Sequence, residues 1–181
     1  MCVLSYPLTL ISSAFILKRM KIKEILFALT RIALGWTFLW AFLDKTFGFG
    51  LATVKENAWI NGGSPTTGFL ANAVQGPFAD FFSSLSGVPW VDWLFMLGML
   101  LVGVGLILGI AMRLSGFFGG VIMLLLYAAG SIPLTNNPFV DDHIINALIL
   151  FAFSLSDTGE TLGFGKQWKR TRLVRKAPFL R

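Results

Sequence analysis

Two stretches of this chain, Trp93–Met112 and Leu114–Pro133, each run twenty residues without a charged side chain, and Ile25–Leu43 runs nineteen with Arg31 as the one exception. About 20 apolar residues at 1.5 Å rise cross a hydrocarbon core of roughly 30 Å. These three runs read as transmembrane helices, and a shorter apolar run between Asp142 and Asp157 reads as a fourth. Charges alternate in sign between the runs. Lys18, Arg19, Lys21, Lys23, Arg113 and the Lys/Arg cluster of 166–181 fall on one side; Asp44, Glu56, Asp80, Asp92, Asp141 and Asp142 fall on the other, with only Lys45 and Lys55. Short cytoplasmic loops are rich in Lys and Arg, so both termini are expected in the cytoplasm. The expected fold is an all-α, multi-pass integral protein of the cell (plasma) membrane. It is a four-transmembrane-helix bundle over 20–165, with spans at about 25–44, 91–112, 114–133 and 139–156. A long, helical, aromatic-rich outer lid (45–90) joins spans one and two, and a basic cytoplasmic tail covers 166–181.

Composition agrees with a membrane environment: 55% of residues are hydrophobic and 13% charged, against roughly 25% charged in an average soluble domain. The formal charge of +6 would suggest nucleic acid in a soluble protein. Here it sits mostly in Lys166–Arg181, just inside the membrane, where anionic lipid attracts each basic residue by about 1 kcal/mol. The expected partner is therefore the lipid bilayer, not nucleic acid, and the plain reading of the tail is a topology determinant and lipid anchor. Cys2 is the lone cysteine, which excludes internal disulfides and C-x-x-C redox chemistry. His143 is the lone histidine; a His-rich haem or metal centre is not available, and no metal site is expected. Residues 1–19 lack the charge order and cleavage site of a secretory signal. They read as a poorly ordered or interfacial extension, or as residues upstream of a true start at Met20.

The connection from Asp44 to Asp92 is far longer than common loops of about 4–6 residues, and it is dense in Phe and Trp. Ser64-Pro65 reads as an N-cap followed by proline at the first helical position, leading into a helix over Thr66–Val74. Gly76-Pro77 opens another, with Phe78, Phe81, Phe82 and Leu85 on one face. Trp59-Ile60-Asn61-Gly62-Gly63 is turn chemistry. In the spans, Gly105/Gly109 and Gly116/Gly120 form two GxxxG pairs. Small residues at this spacing let backbones approach in lipid, so both pairs are expected in the contact between spans two and three.

Ionisable groups within spans are costly and face an interior, a cavity or one another. Arg31 either snorkels to the cytoplasmic interface or turns into the bundle to hold a carboxylate, carbonyl or anion. His143, Asn146 and Ser154 share one face of span four. That span is short: fourteen residues between Asp142 and Asp157 reach only about 21 Å, so it starts nearer Pro138 or thins the bilayer. The topology collects Asp44, Lys45, Asp92, Asn136, Asn137, Asp141, Asp142 and His143 at the outer end, beneath the lid with Asn61, Ser64, Thr66 and Thr67. Such groups either cap helices and tie the lid down or form a pocket closed by aromatic residues.

The run Arg31-Ile-Ala-Leu-Gly-Trp36 followed by Trp40-Ala-Phe-Leu-Asp44-Lys45 resembles the start of DoxX-family membrane proteins. Trp59-Ile-Asn-Gly-Gly-Ser-Pro-Thr-Thr-Gly-Phe-Leu70, Gly76-Pro77-Phe78, Asn136-Asn137-Pro138 and Asp142-His143 are similar to the same family, in particular to its DoxD-like members, the large-subunit type of thiosulfate:quinone oxidoreductase. The resemblance spans roughly Met20 to Trp168. It implies a four-helix membrane bundle and electron transfer from a small sulfur compound such as thiosulfate to membrane quinone, with a second oxidoreductase subunit as partner.

On that reading a sulfur oxyanion meets Arg31, Lys45, Asn61, Ser64, Thr66 and Asn137. Quinone rests on Trp36, Trp40 and Trp59, while Asp44, Asp142 and His143 handle its protons. No motif in the chain encodes a cofactor, so electrons need a partner or a bound group. The alternative is a non-catalytic membrane scaffold or a small-solute carrier, although the internal repeat of many carriers is not evident. A homo-oligomer stays open under either reading.

Overall fold

The computed structural model describes residues 7–132 and 139–180, with residues 7–20 as backbone alone. Every regular element among these residues is helical. Helix α1 (Pro7–Phe47) is one unbroken helix of 41 residues, about 61 Å long at 1.5 Å per residue, and no break separates 7–19 from the remainder of the helix. The connection carries two single turns, Lys55–Asn57 and Trp59–Asn61, and two short helices, α2 (Thr67–Asn72) and α3 (Ala79–Ser83). Then come α4 (Pro89–Leu108) and α5 (Met112–Leu126), the latter continuing into a π-helical turn at Tyr127–Ser131. Helix α6 (Asp142–Ser154) is next in the chain, and two short helices, α7 (Gly165–Lys169) and α8 (Arg172–Lys176), fold the tail.

Three of these helices are long and apolar enough to cross a membrane: Lys21–Phe47 of α1, α4, and Met112–Ser131. Their outward faces are apolar, with Phe27, Leu94, Leu101, Phe118 and Leu125 all exposed. Water would not tolerate that much contiguous apolar surface; lipid would. The protein is accordingly a membrane protein whose spans face a bilayer.

Helix α6 is different. At thirteen residues it is about 20 Å long, shorter than the expected span over 139–156. Its start is fixed by Asp141, whose extended backbone and Oδ1, accepting from the Ile144 amide at 3.1 Å, make it an N-cap. The Asn136-Asn137-Pro138 segment lies outside the described residues.

Neighbours in sequence pack antiparallel. Gly35 meets Leu106 and Ile107, and Gly103 meets Leu39, which sets the register of α1 on α4. Gly98 against Ile122, Gly119 against Val102, and Gly105 against Ser115 set α4 on α5. One apolar cluster draws on all four long elements: Phe38 of α1, Met99, Val102 and Leu106 of α4, Met112 of α5, Leu150 and Phe153 of α6.

The glycine pairs divide otherwise than the sequence suggested. Gly105 does face α5, but Gly109 ends α4 in the left-handed region, at φ 69°. Gly116 and Gly120 lie against Leu150, Phe151 and Ser154 of α6. The reason is rotation. Ser115 and Gly119 take the side facing α4, and each next residue is turned about 100°, onto α6.

In the connection, Ser64 Oγ accepts from the Thr67 amide at 3.1 Å, but α2 begins at Thr67 with Thr66 at its N-cap position. Ser64 is therefore not the cap, Pro65 lies before the helix, and α2 is shorter than Thr66–Val74. Phe78 and Phe81 around α3 are more than half exposed while Phe82 and Leu85 are half-buried, so the apolar face read from the sequence is covered only in part. Gly76 takes φ 82°, and a Cβ there would lie 2.3 Å from the Ile132 carbonyl oxygen. Only glycine permits that approach. It lets Gln75 reach the end of the π turn, where its amide donates to Ala129 O at 2.9 Å and its side chain to Gly130 O at 2.6 Å.

Candidate functional site

Antiparallel packing gathers the candidate residues at two opposite ends. At the acidic end α1 finishes, α4 begins, α5 finishes and α6 begins. At the basic end lie the α4–α5 turn, the end of α6 and the tail.

Asp44, near the end of α1, is 1% exposed. Its Oδ2 accepts from the Ala52 amide at 3.2 Å, while its Oδ1 is buried without a hydrogen-bond partner. Lys45 is half-buried and within electrostatic reach of both Asp44 and Asp92. Asp92, in the first turn of α4, is 8% exposed and acts as the anchor of the connection. One of its oxygens, Oδ1, accepts from Ser64 Oγ at 2.9 Å, Thr66 N at 3.1 Å and Thr66 Oγ1 at 2.6 Å. Thr67 Oγ1 in turn donates to Ser64 Oγ at 2.7 Å.

Ser64 and Thr66 therefore spend their hydroxyls on Asp92, which is the tie-down role. Asn61, exposed, donates to the Lys55 carbonyl in the turn beside it. Replacing Asp92 with alanine leaves three donors without their shared acceptor. Bonds to a charged group contribute about 1.5–3 kcal/mol each and are not additive. We expect a loss of about 3 kcal/mol and faster proteolysis within 60–75; an unchanged cleavage pattern would contradict the anchoring role.

A second group forms where α5 meets α6. His143 Nδ1 lies 2.8 Å from Asp141 Oδ2, 3.3 Å from Ser131 Oγ and 3.6 Å from Asp142 Oδ1. Asp142 is largely exposed, with its side chain 83% accessible. One atom each of Asp141, Asp142 and His143 fall within 4.8 Å of one another. Asp141 is already used twice, as the α6 cap and as the partner that orients His143.

The aromatic residues separate as well. Trp36, Trp40, Phe49 and Phe47 form a continuous series with centroids 5.8, 5.6 and 5.9 Å apart. Trp59 pairs edge-on with Trp93 at 4.6 Å.

Arg31 belongs to the other end. Some 13 residues from Asp44, it lies about 20 Å away along α1. It is fully buried, and its guanidinium serves backbone carbonyls. Nη1 donates to Leu106 O and Ile107 O, and Nη2 to Thr161 O (3.1 Å) and Leu162 O (3.0 Å).

The last four carbonyls of a helix have no partner within it, and here each finds one. Gly105 O accepts from Ile110 N, Leu106 O from Gly109 N and Arg31, Ile107 O from Arg31, and Leu108 O from Phe164 N. The Gly109 and Ile110 bonds form a Schellman motif. Leu162, whose backbone is left-handed at φ 50°, is held there with its carbonyl on Arg31. Of the alternatives open for Arg31, the carbonyl clamp is the one observed.

Two cavities lie at this basic end. One of about 240 Å³ is lined by Arg113, Ser154, Ser156, Trp168 and Lys169 among others; one of about 390 Å³ involves Glu24, Thr161 and Lys166. Lys169 bonds to both Asp157 and Glu160. Burial works against its ammonium, but the two carboxylates outweigh that effect and hold it above the ordinary lysine value.

Asn137 lies outside the described residues. Sequence reasoning missed Gln75, Ser131 and the dominance of Asp92. The hydroxyl run Ser64-Pro65-Thr66-Thr67 signalled an acceptor without naming it, and nothing in Tyr127–Ser131 signals a π turn. Comparison with family models, with curated proteins and with solved structures finds no match to this chain.

Proposed function

We propose that this chain is a DoxX-like subunit that binds quinone and serves an oxidoreductase acting on a small sulfur compound such as thiosulfate. It crosses the plasma membrane four times with both termini in the cytoplasm, and the 45–90 connection is an outer lid. The alternating charges support the orientation. For the fourth span, exposed Phe139, Val140 and Leu155 lengthen the apolar stretch beyond α6, and local bilayer thinning accommodates the remainder at modest cost. The family-like residues in the lid and in span one support the assignment.

The observation that carries the reading is the buried Asp44 Oδ1 with no partner. A buried polar atom left unpaired costs about 1–3 kcal/mol, a cost that persists where a site awaits a ligand or a proton. Asp44 stands on the same helix as Trp36 and Trp40, whose ring series continues onto Phe49 just past the helix end and is partly open to lipid, the route by which a quinone arrives. Bound quinone would supply the two-electron acceptor, with electrons delivered from the sulfur compound through a second subunit. Asp44 accepts or gives the proton, and Lys45 holds negative charge beside it. His143, oriented by Asp141, serves as a second proton carrier between the surface and the buried end. Arg31 has no part in this, since its Nη1 and Nη2 groups are spent on backbone carbonyls at the basic end, about 20 Å from Asp44.

The test is extraction in mild detergent followed by mass spectrometry of what stays bound. Wild-type protein should retain quinone in near-stoichiometric amount. Asp44→Asn, which removes charge but keeps shape, should lose it by more than about tenfold, the equivalent of about 1.4 kcal/mol, one good hydrogen bond. It should stay folded, because the asparagine Oδ1 can still accept from the Ala52 amide as Asp44 does. A protein that carries only ordinary lipid, and binds no quinone on titration, returns the function to a scaffold or a solute carrier.

A further inference from the structure

At the basic end, residues 162–180 form a compact folded segment. Thr171 caps α8, its Oγ1 accepting from the Val174 amide at 3.3 Å, and Val174 is 1% exposed. Trp168 Nε1 donates to Leu180 O at 2.6 Å, closing the segment on itself. It is fastened to the spans by Phe164 N on Leu108 O at 2.8 Å, by Arg31 on Leu162 O, and by packing of the Pro178–Leu180 turn on α5. These attachments fix its height where α4 ends and α5 begins, the level at which the apolar spans meet the headgroup layer.

Two kinds of exposed side chain interleave on it. Phe164, Leu173 and Phe179 are each more than half exposed. Lys166, Arg170, Arg172 and Arg175 are exposed, and Arg113 on the adjoining turn adds another. Among the described residues none of these five cations makes an ion pair. Of the acids at the same end, Asp157 and Glu160 are both taken up by Lys169, and Glu24, which lines a cavity with Lys166, makes no ion pair among the described residues. Exposed apolar groups between unpaired cations, held at the membrane boundary, match an acidic headgroup layer over acyl chains.

We propose that the folded tail is a docking platform for anionic phospholipid. Its cations hold headgroup phosphates, and Phe164, Leu173 and Phe179 enter the acyl boundary. The platform is bonded directly to the α4 terminus that Arg31 completes, so lipid on the tail steadies that end of the bundle. This proposal does not depend on the quinone reading.

The test uses the full chain carrying Cys2→Ser and Leu173→Cys, labelled at its one thiol with a polarity-sensitive fluorophore. It is reconstituted in vesicles of phosphatidylcholine alone or mixed with phosphatidylglycerol. Emission should shift to the blue in the anionic vesicles only, and the shift should shrink at 1 M salt, where the screening length falls to about 3 Å. Adding Lys166→Gln, Arg170→Gln, Arg172→Gln and Arg175→Gln should abolish it.

Lipid retained by the purified protein gives an independent readout. Its anionic-to-neutral ratio should fall roughly fivefold for each basic residue removed. Because the four positions are exposed, the variant should keep the wild-type melting temperature in detergent stripped of lipid, which shows that it is folded. Identical emission in both vesicle types, whether blue or not, or an unchanged lipid ratio in the folded variant, overturns the proposal.

Discussion

Arg31→Leu should come close to unfolding this protein. The substitution removes a donor from four carbonyls at once, two at the end of α4 and two in the segment after α6, of which Leu106 O keeps its bond from Gly109 N. Leucine leaves those oxygens in a place with little water to replace the guanidinium. Each bond to a charged donor contributes about 1.5–3 kcal/mol, and even with strong non-additivity the expected loss is about 5 kcal/mol, comparable with the low end of total domain stability. Arg31→Lys should fall in between, because an ammonium offers three donors from one point and not a planar fork. Thermal unfolding in detergent, followed by loss of the monodisperse peak on size exclusion, measures both. An Arg31→Leu protein that melts within a few degrees of wild type would refute the clamp. The Nε atom is buried without a partner, so the clamp is made by Nη1 and Nη2 alone.

Gly116→Val should be nearly as damaging, for a steric reason. A Cβ at Gly116 would sit 2.5 Å from Leu150 O, 2.7 Å from Ser154 N and 2.9 Å from Ser154 Cα. These are backbone atoms, which cannot swing aside as a flexible side chain can. Ordinary overpacking costs about 1–3 kcal/mol, and valine here pushes the whole of α6 away from α5. Faster hydrogen exchange across 142–154 and loss of the Ser131–His143 contact are the expected signs. Gly68→Ala provides the control: nothing lies within 4 Å of a Cβ there, and its φ is not positive, so stability should hold or rise slightly, since alanine favours helix over glycine. If Gly116→Val exchanges no faster than Gly68→Ala, α6 does not rest on that contact.

Much of the architecture is legible in the residues because membranes impose a severe rule. Backbone groups in lipid must bond internally, so an uncharged run of twenty residues such as Trp93–Met112 has one economical conformation, and composition alone announces it. The turn at Gly62 and the antiparallel order of the long helices come from equally local chemistry. The candidate site was legible only as a gathering of polar residues at one end. Distance along a helix separates Arg31 from Asp44, but no sequence rule tells whether a buried arginine will meet an anion or a set of carbonyls. Its partners, at positions 106, 107, 161 and 162, are supplied by the α4 terminus and the distant segment after α6.

Residue order alone specifies a helical membrane protein, with a strongly sided charge distribution and helix lengths set by apolar runs against bilayer thickness. Packing assigns the polar groups and glycines their roles. Gly116 turned to α6 while Gly105 turned to α5, Asp92 became the anchor of the connection, and Asp44 kept one buried oxygen unpaired. Arg31 closed the end of α4. Those outcomes depend on helix rotation and on which orphaned backbone group lies nearest. Both are set by the packing of segments remote in sequence, where a turn of 100° per residue changes every partner.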